Sequence, residues 1–76
     1  MIFEELKTLI ASELGVNEDD ILETSDLSVD LGADSLDAVE LIMSIEDQFG
    51  ITVNDEDAKN LQTVKQIVDY IEKYQS

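Results

Sequence analysis

Residues 35–49 have the sequence SLDAVELIMSIEDQF and are followed by Gly50. At about 100° per residue, one arc of a helix through this stretch is entirely apolar. That arc contains Ala38, Leu41, Ile42, Ile45 and Phe49. An uninterrupted apolar arc is typical of a helix face that packs into a core. A glycine directly after it is typical of a helix end. The stretch therefore predicts a core helix from about Asp34 to Phe49.

The same helix has a second apolar strip, about 200° to 260° around the axis from Asp37. This strip contains Leu36, Val39 and Met43. Glu46 lies between the strip and the core arc, and a carboxylate is costly to bury. We therefore expect the strip at the surface. The acidic and polar residues beside it are Asp37, Glu40, Ser44 and Asp47. The strip is one of two things. It is either a docking surface, whose neighbouring acidic residues attract and orient partner proteins, or an ordinary solvated helix face.

The start of this helix has its own signals. Gly32 supplies backbone freedom for a sharp turn before the helix. Asp34 is a good N-cap, and Asp37, three residues later, is an acidic version of the capping box. Both carboxylates also suit the positive end of the helix dipole.

Helical spacing recurs on both sides of this segment. A first helix over about 2–14, ended by Gly15, is predicted by Ile2, Phe3, Leu6, Leu9, Ile10 and Leu14. Residues 54–57 cap a short helix that contains Ala58 and Leu61. A last helix of about three turns, with Thr63 as its N-cap, is predicted by Val64, Ile67, Val68 and Ile71.

Residues 16–34 have no sustained helical period. Their irregular apolar residues are expected to pin the loop to the core, and are Val16, Ile21, Leu22, Leu27 and Leu31. The predicted fold is all-α: three principal helices plus one short helix, with a long loop between the first and second helices. At 76 residues, we expect residues 1–76 to form one domain.

Composition limits the chemistry. The chain has no Cys and no His, which excludes disulfides and leaves only oxygen ligands for a metal. The acids around residues 26–37 do not match the spacing of a calcium-binding EF-hand loop, so we expect no dedicated metal site. No signal peptide or bilayer-spanning run is evident, so we expect a cytoplasmic protein.

Nineteen acids against four lysines give a net charge of −15. A surface of this charge repels nucleic acid and anionic membranes, and it attracts basic partner proteins. We therefore expect no nucleic-acid partner and no membrane insertion. The chain also repels itself, so salt is expected to stabilise the fold.

Ser35 is the one hydroxyl whose position suggests chemistry. It cannot be activated within the chain in the way of a hydrolase, because no His is available as a base. A second enzyme could reach it at a loop-to-helix junction, and a phosphate ester there would face free backbone N–H groups. From position alone, an ordinary residue at a helix start is the commoner interpretation of Ser35.

The segment LGADSLD, residues 31–37, closely resembles the attachment motif of acyl carrier proteins. The resemblance continues through residues 39–41, 46–49, 55–56, 58, 63–64 and 69–71. It covers essentially the whole chain and extends to the family's length and acidity. Two positions depart from the pattern: Asn54 stands where many members have Pro, and Lys59 where many have an acid.

The resemblance implies that Ser35 receives 4′-phosphopantetheine from coenzyme A through a phosphopantetheinyl transferase (a holo-synthase). The chain would then be a non-catalytic, monomeric carrier of fatty acyl thioesters for fatty acid synthesis enzymes. The positions that match partner-docking residues are Asp34, Leu36, Asp37, Val39, Glu40, Met43, Glu46, Asp47, Asp55 and Glu56. Two alternatives remain at this point: a carrier of polyketide, aminoacyl or D-alanyl cargo, and an unmodified acidic interaction module.

Overall fold

The computed structural model describes residues 1–75. It contains α1 (Ile2–Leu14), a single 3₁₀ turn (Glu18–Asp20), α2 (Ser35–Phe49), α3 (Asp55–Asn60) and α4 (Val64–Gln75). Within these residues there is no strand, only an isolated antiparallel bridge between Asp26 and Thr63. The predicted all-α fold, with one short helix and a long loop before α2, is confirmed. The 3₁₀ turn has no counterpart in the sequence-based prediction.

The core forms where α1, α2 and α4 pack together. Its most deeply buried side chains are Leu6, Ile10, Leu41, Ile45, Val64, Ile67 and Ile71. Of the apolar arc predicted on α2, Leu41, Ile45 and Phe49 are buried. Ile42 is half-buried and packs against the same core. From Leu41 to Phe49 the arc is therefore the core face, as predicted, whereas Ala38 is half-buried and is not part of this cluster.

The helix ends follow the predicted signals. Gly15 and Gly50 adopt left-handed backbone conformations, with φ of 69° and 67°, which residues with a Cβ rarely adopt. Asn54 accepts the N–H of Asp57 through Oδ1 at 2.8 Å, at the start of α3. Thr63 Oγ1 accepts the N–H of Gln66 at 3.2 Å. The expected caps of α3 and α4 are thus confirmed.

The loop before α2 is pinned to the core, with one exception. Ile21 and Leu27 are buried, and Val16 and Leu31 pack partly against the same cluster. The expectation for Leu22 was wrong, because its side chain is 60% exposed. Ile21 has extended backbone, and neighbouring side chains of an extended segment point in opposite directions. With Ile21 inside, Leu22 is turned toward solvent.

Backbone hydrogen bonds join this loop to the start of α4. The N–H of Val64 donates to the carbonyl of Ser25 at 3.1 Å, and that of Lys65 to Glu23 at 2.8 Å. A further bond of 2.8 Å runs from the N–H of Ala33 to the carbonyl of Leu27, immediately before α2. These bonds fix the path of the chain into the N-terminus of α2. Over residues 1–75, no helix is long and apolar enough to cross a membrane.

Candidate functional site

Ser35 is the first residue of α2 and is exposed. Gly32, with φ of 74°, permits the turn that leads the chain into the helix. The predicted capping box is present: Asp34 Oδ1 accepts the N–H of Asp37 at 2.8 Å, and Asp37 Oδ2 accepts the N–H of Asp34 at 3.3 Å. The box holds the first turn rigidly, so the Ser35 hydroxyl projects from a fixed point that another protein can reach.

No group within residues 1–75 activates this hydroxyl. None of the side-chain hydrogen bonds of this part of the chain involves Ser35 Oγ, and the chain has no His that could serve as a base. The nearest acids in sequence, Asp34 and Asp37, bond to each other's backbone instead. Within the described part of the chain, Ser35 therefore has no group that would let it attack a substrate unaided.

The first turn of α2 provides donors for an anion on Ser35. The capping box satisfies the N–H groups of Asp34 and Asp37. Those of Ser35 and Leu36 belong to the first turn, where no intrahelical acceptor is within reach. Together with the positive end of the helix dipole, they favour a phosphate ester at this place. A phosphopantetheine attached to Ser35 would fit this environment.

Two clefts open beside Ser35. The loop-side cleft, of about 410 Å³, lies between residues 26–33 and the end of α3. The helix-side cleft, of about 630 Å³, lies between α2 and α3. Four residues line both clefts: Ser35, Ala38, Ala58 and Lys59. A slender chain attached to Ser35 could therefore lie along the protein on either side of its attachment point.

The second face of α2 is at the surface, as predicted. Leu36 is 67% exposed, Val39 56% and Met43 62%. Of the remaining residues proposed for docking, those exposed are Asp34, Glu40, Asp47, Asp55 and Glu56, and Asp37 is half-buried. Exposed apolar side chains and carboxylates thus both occur on α2, and further exposed carboxylates occur on α3.

Glu46 has a structural partner that the sequence did not indicate. It is half-buried, and its Oε2 accepts the N–H of Val53 at 2.8 Å. This bond closes the segment between α2 and α3 onto α2. Glu46, which was expected to be an exposed acid, therefore also holds the segment between α2 and α3 in place. Helix periodicity gives no signal for it, because the partner lies beyond the turn at Gly50.

A second unpredicted contact anchors α3. The hydroxyl of Tyr70, on α4, donates to Asp57 Oδ2 at 2.7 Å. Burial, together with this hydrogen bond and the charge of Asp57, raises the pKa of Tyr70 to about 12. The rings of Tyr70 and Tyr74 also lie against each other, with centroids 4.5 Å apart. This hydrogen bond therefore ties α3, which forms one side of the helix-side cleft, to α4.

Two acids of the long loop, Asp26 and Asp30, bind backbone N–H groups. Asp26 Oδ1 accepts the N–H groups of Ser28 and Val29, both at 2.9 Å. Asp30 Oδ2 accepts the N–H of Asp26 at 2.7 Å. No group of three or more acidic side chains in residues 1–75 is arranged to hold a metal ion. The carboxylates here shape the turn that leads to Ser35.

Comparison with known proteins identifies the family. The family described as "Phosphopantetheine attachment site" matches residues 4–71. An "Acyl carrier protein" of Chlorobium phaeobacteroides (strain DSM 266 / SMG 266 / 2430) is 51% identical over 72 residues, which cover 95% of this chain and 92% of that protein. Acyl carrier proteins are non-catalytic carriers that bear a covalent 4′-phosphopantetheine supplied by a transferase. This chain belongs to the acyl carrier protein family.

Proposed function

We propose that Ser35 is the attachment residue, and that the protein carries fatty acyl chains to the enzymes of fatty acid synthesis. The observation that supports this most directly is the exposed Ser35 hydroxyl on the first turn of α2, at the junction of two clefts. The arm supplies the one function that the chain lacks, a thiol that holds an acyl group as a thioester. The chain itself has no Cys.

The residues around Ser35 have two roles in a carrier: some fix the first turn of α2, and others stabilise the attached phosphodiester. Asp34 and Asp37 fix the first turn through their reciprocal hydrogen bonds, so the hydroxyl is presented in one geometry to the transferase. The N–H groups of Ser35 and Leu36 stabilise the phosphodiester once it forms. No proton transfer is assigned to the carrier, because the transferase must supply the base.

The surface along α2 and α3 is the proposed docking site. It is centred on Leu36, Val39 and Met43, which are all more than half exposed. Its carboxylates are those of Asp34, Asp37, Glu40, Glu46, Asp47, Asp55 and Glu56. Basic patches on partner enzymes would be steered by a chain of net charge −15 and held by the apolar centre. We propose that residues 1–76 act as one monomeric carrier domain in the cytoplasm.

The cargo can be tested by loading. Purified holo-protein is incubated with a malonyl transferase and malonyl-coenzyme A, and separately with an adenylating enzyme and an amino acid. We expect malonyl to become bound as a thioester that hydroxylamine releases, and no aminoacyl product. Ser35→Ala, treated in the same way, should take up neither group. Aminoacyl loading without malonyl loading would contradict the fatty acid assignment.

A further inference from the structure

Lys59 is placed differently from the other cations of the chain. The four lysines are Lys7, Lys59, Lys65 and Lys73, and there is no Arg. Lys59 is exposed on α3, and of these four it alone lines the clefts beside Ser35. Each cleft also contains two carboxylates: Asp26 and Asp34 line the loop-side cleft, and Glu46 and Asp55 the helix-side cleft.

The Lys59 ammonium has no carboxylate partner in the described part of the chain. Lys7 pairs with Glu4 at 3.4 Å, but Lys59 has no ion pair with any of residues 1–75. Asp55 and Glu56 precede it by four and three residues on the same helix, a spacing that permits pairing. The side chain is therefore available to an anion that arrives beside it.

An anion attached to Ser35 would lie where the two clefts share their lining residues. The first group of such an arm is its phosphodiester, and the rest of the arm can enter either cleft. In both cases the phosphodiester stays next to Ser35, and Lys59 lines each of the two clefts together with Ser35 and the small side chains of Ala38 and Ala58. An ammonium on a flexible stem can reach a phosphate there without fixed geometry.

We propose that Lys59 pairs with the phosphodiester of the arm on Ser35 and so anchors the base of the arm against α3. This inference rests on the proposed attachment at Ser35. The new negative charge would otherwise face Asp34 and Asp37 in a chain that already has a net charge of −15. The N-terminus of α2 stabilises the phosphodiester from one side and Lys59 from the other.

The pairing is tested by a thermodynamic cycle. The free energy of unfolding is measured by urea denaturation for apo- and holo-protein, each as wild type and as Lys59→Gln. For each protein, the folding equilibrium constant of the holo form is divided by that of the apo form. This ratio should be roughly two- to five-fold smaller in the variant than in the wild type at low salt. High salt should remove the difference. Lys65→Gln is the matched control, since Lys65 is also exposed but lines neither cleft.

Two outcomes overturn the inference: no coupling between attachment and Lys59→Gln, or equal coupling for Lys65→Gln, which would mean that only long-range charge is involved. A second readout uses the ³¹P resonance of the folded holo-protein, which Lys59→Gln should shift and Lys65→Gln should not. An unchanged ³¹P resonance in Lys59→Gln contradicts the pairing. Failure to form any holo-protein would instead refute the proposed attachment at Ser35, so the two failures are distinguishable.

Discussion

The Tyr70 hydroxyl donates a 2.7 Å hydrogen bond to the Asp57 carboxylate and so ties α3 to α4. The helix α3 has only six residues, too few to be stable in isolation. Its position must therefore come from tertiary contacts. Since α3 forms one wall of the helix-side cleft, this hydrogen bond also maintains the shape of the surface beside Ser35.

Removing that hydroxyl should loosen α3. We expect Tyr70→Phe to lower the free energy of unfolding by about 1 kcal/mol, because a part-buried hydrogen bond to a charged group is lost. Hydrogen exchange should accelerate in α3 more than in α4. A double-mutant cycle with Asp57→Ala checks the pairing: additive effects would show that the two side chains do not interact.

The same contact predicts a loss of stability in alkali. The pKa of Tyr70 is raised in the fold to about 12 from an ordinary value of 10.0. A group with a raised pKa contributes its full stabilisation below the unfolded value and loses it as the pH rises through the folded value. We expect the urea midpoint to fall between about pH 10 and 12 more steeply in wild type than in Tyr70→Phe. Parallel curves of urea midpoint against pH for the two proteins would contradict this prediction. Tyr70→Phe keeps every lysine, so it also controls for the titration of lysines in that pH range.

Glu40 and Glu46 should respond differently to charge reversal. Glu46→Lys removes the acceptor of the Val53 N–H, so it should cost about 1–3 kcal/mol of stability as well as weaken docking. Glu40 is exposed, so Glu40→Lys should change stability by less than about 0.5 kcal/mol. It should nevertheless slow transfer to a partner enzyme at low salt. Normal partner kinetics for a folded Glu40→Lys would remove Glu40 from the docking surface.

Glu46→Gln separates the two roles of this residue. The amide oxygen can still accept the Val53 N–H, while the charge is lost. We expect near-normal stability with reduced partner affinity. A loss of stability as large as that of Glu46→Lys would show that the charge itself holds the loop.

The features that sequence predicts well here are local ones. The Asp34–Asp37 box and the end of α2 at Gly50 depend on residues at most four positions apart, so spacing alone indicates them. The core arc of α2 follows from helix geometry. Leu22 was placed wrongly because an irregular loop has no period that assigns its side chains to a face.

The remaining features depend on how helices pack together. The Glu46–Val53 bond requires the chain to turn back after α2, and the Tyr70–Asp57 bond joins residues thirteen positions apart on different helices. The clefts beside Ser35 exist only because α3 and the long loop lie on either side of α2's first turns. No spacing in the sequence specifies these distances.

Salt should stabilise the protein. With a net charge of −15, the folded state brings like charges closer than the unfolded chain does, and screening relieves that repulsion. We expect the Tm to rise with sodium chloride, and to rise further with magnesium at matched ionic strength. A Tm that does not depend on salt would mean that self-repulsion contributes little to the stability of the fold.

We expect an outside enzyme to attach one phosphopantetheine to Ser35. Apo-protein is incubated with coenzyme A and a phosphopantetheinyl transferase, and the intact mass and the peptides spanning Ser28, Ser35 and Ser44 are then measured. We predict a gain of one phosphopantetheine mass, located on Ser35 and absent from Ser35→Ala. An unchanged mass under conditions that load a known carrier, or a modification at Ser28 or Ser44, would contradict attachment at Ser35.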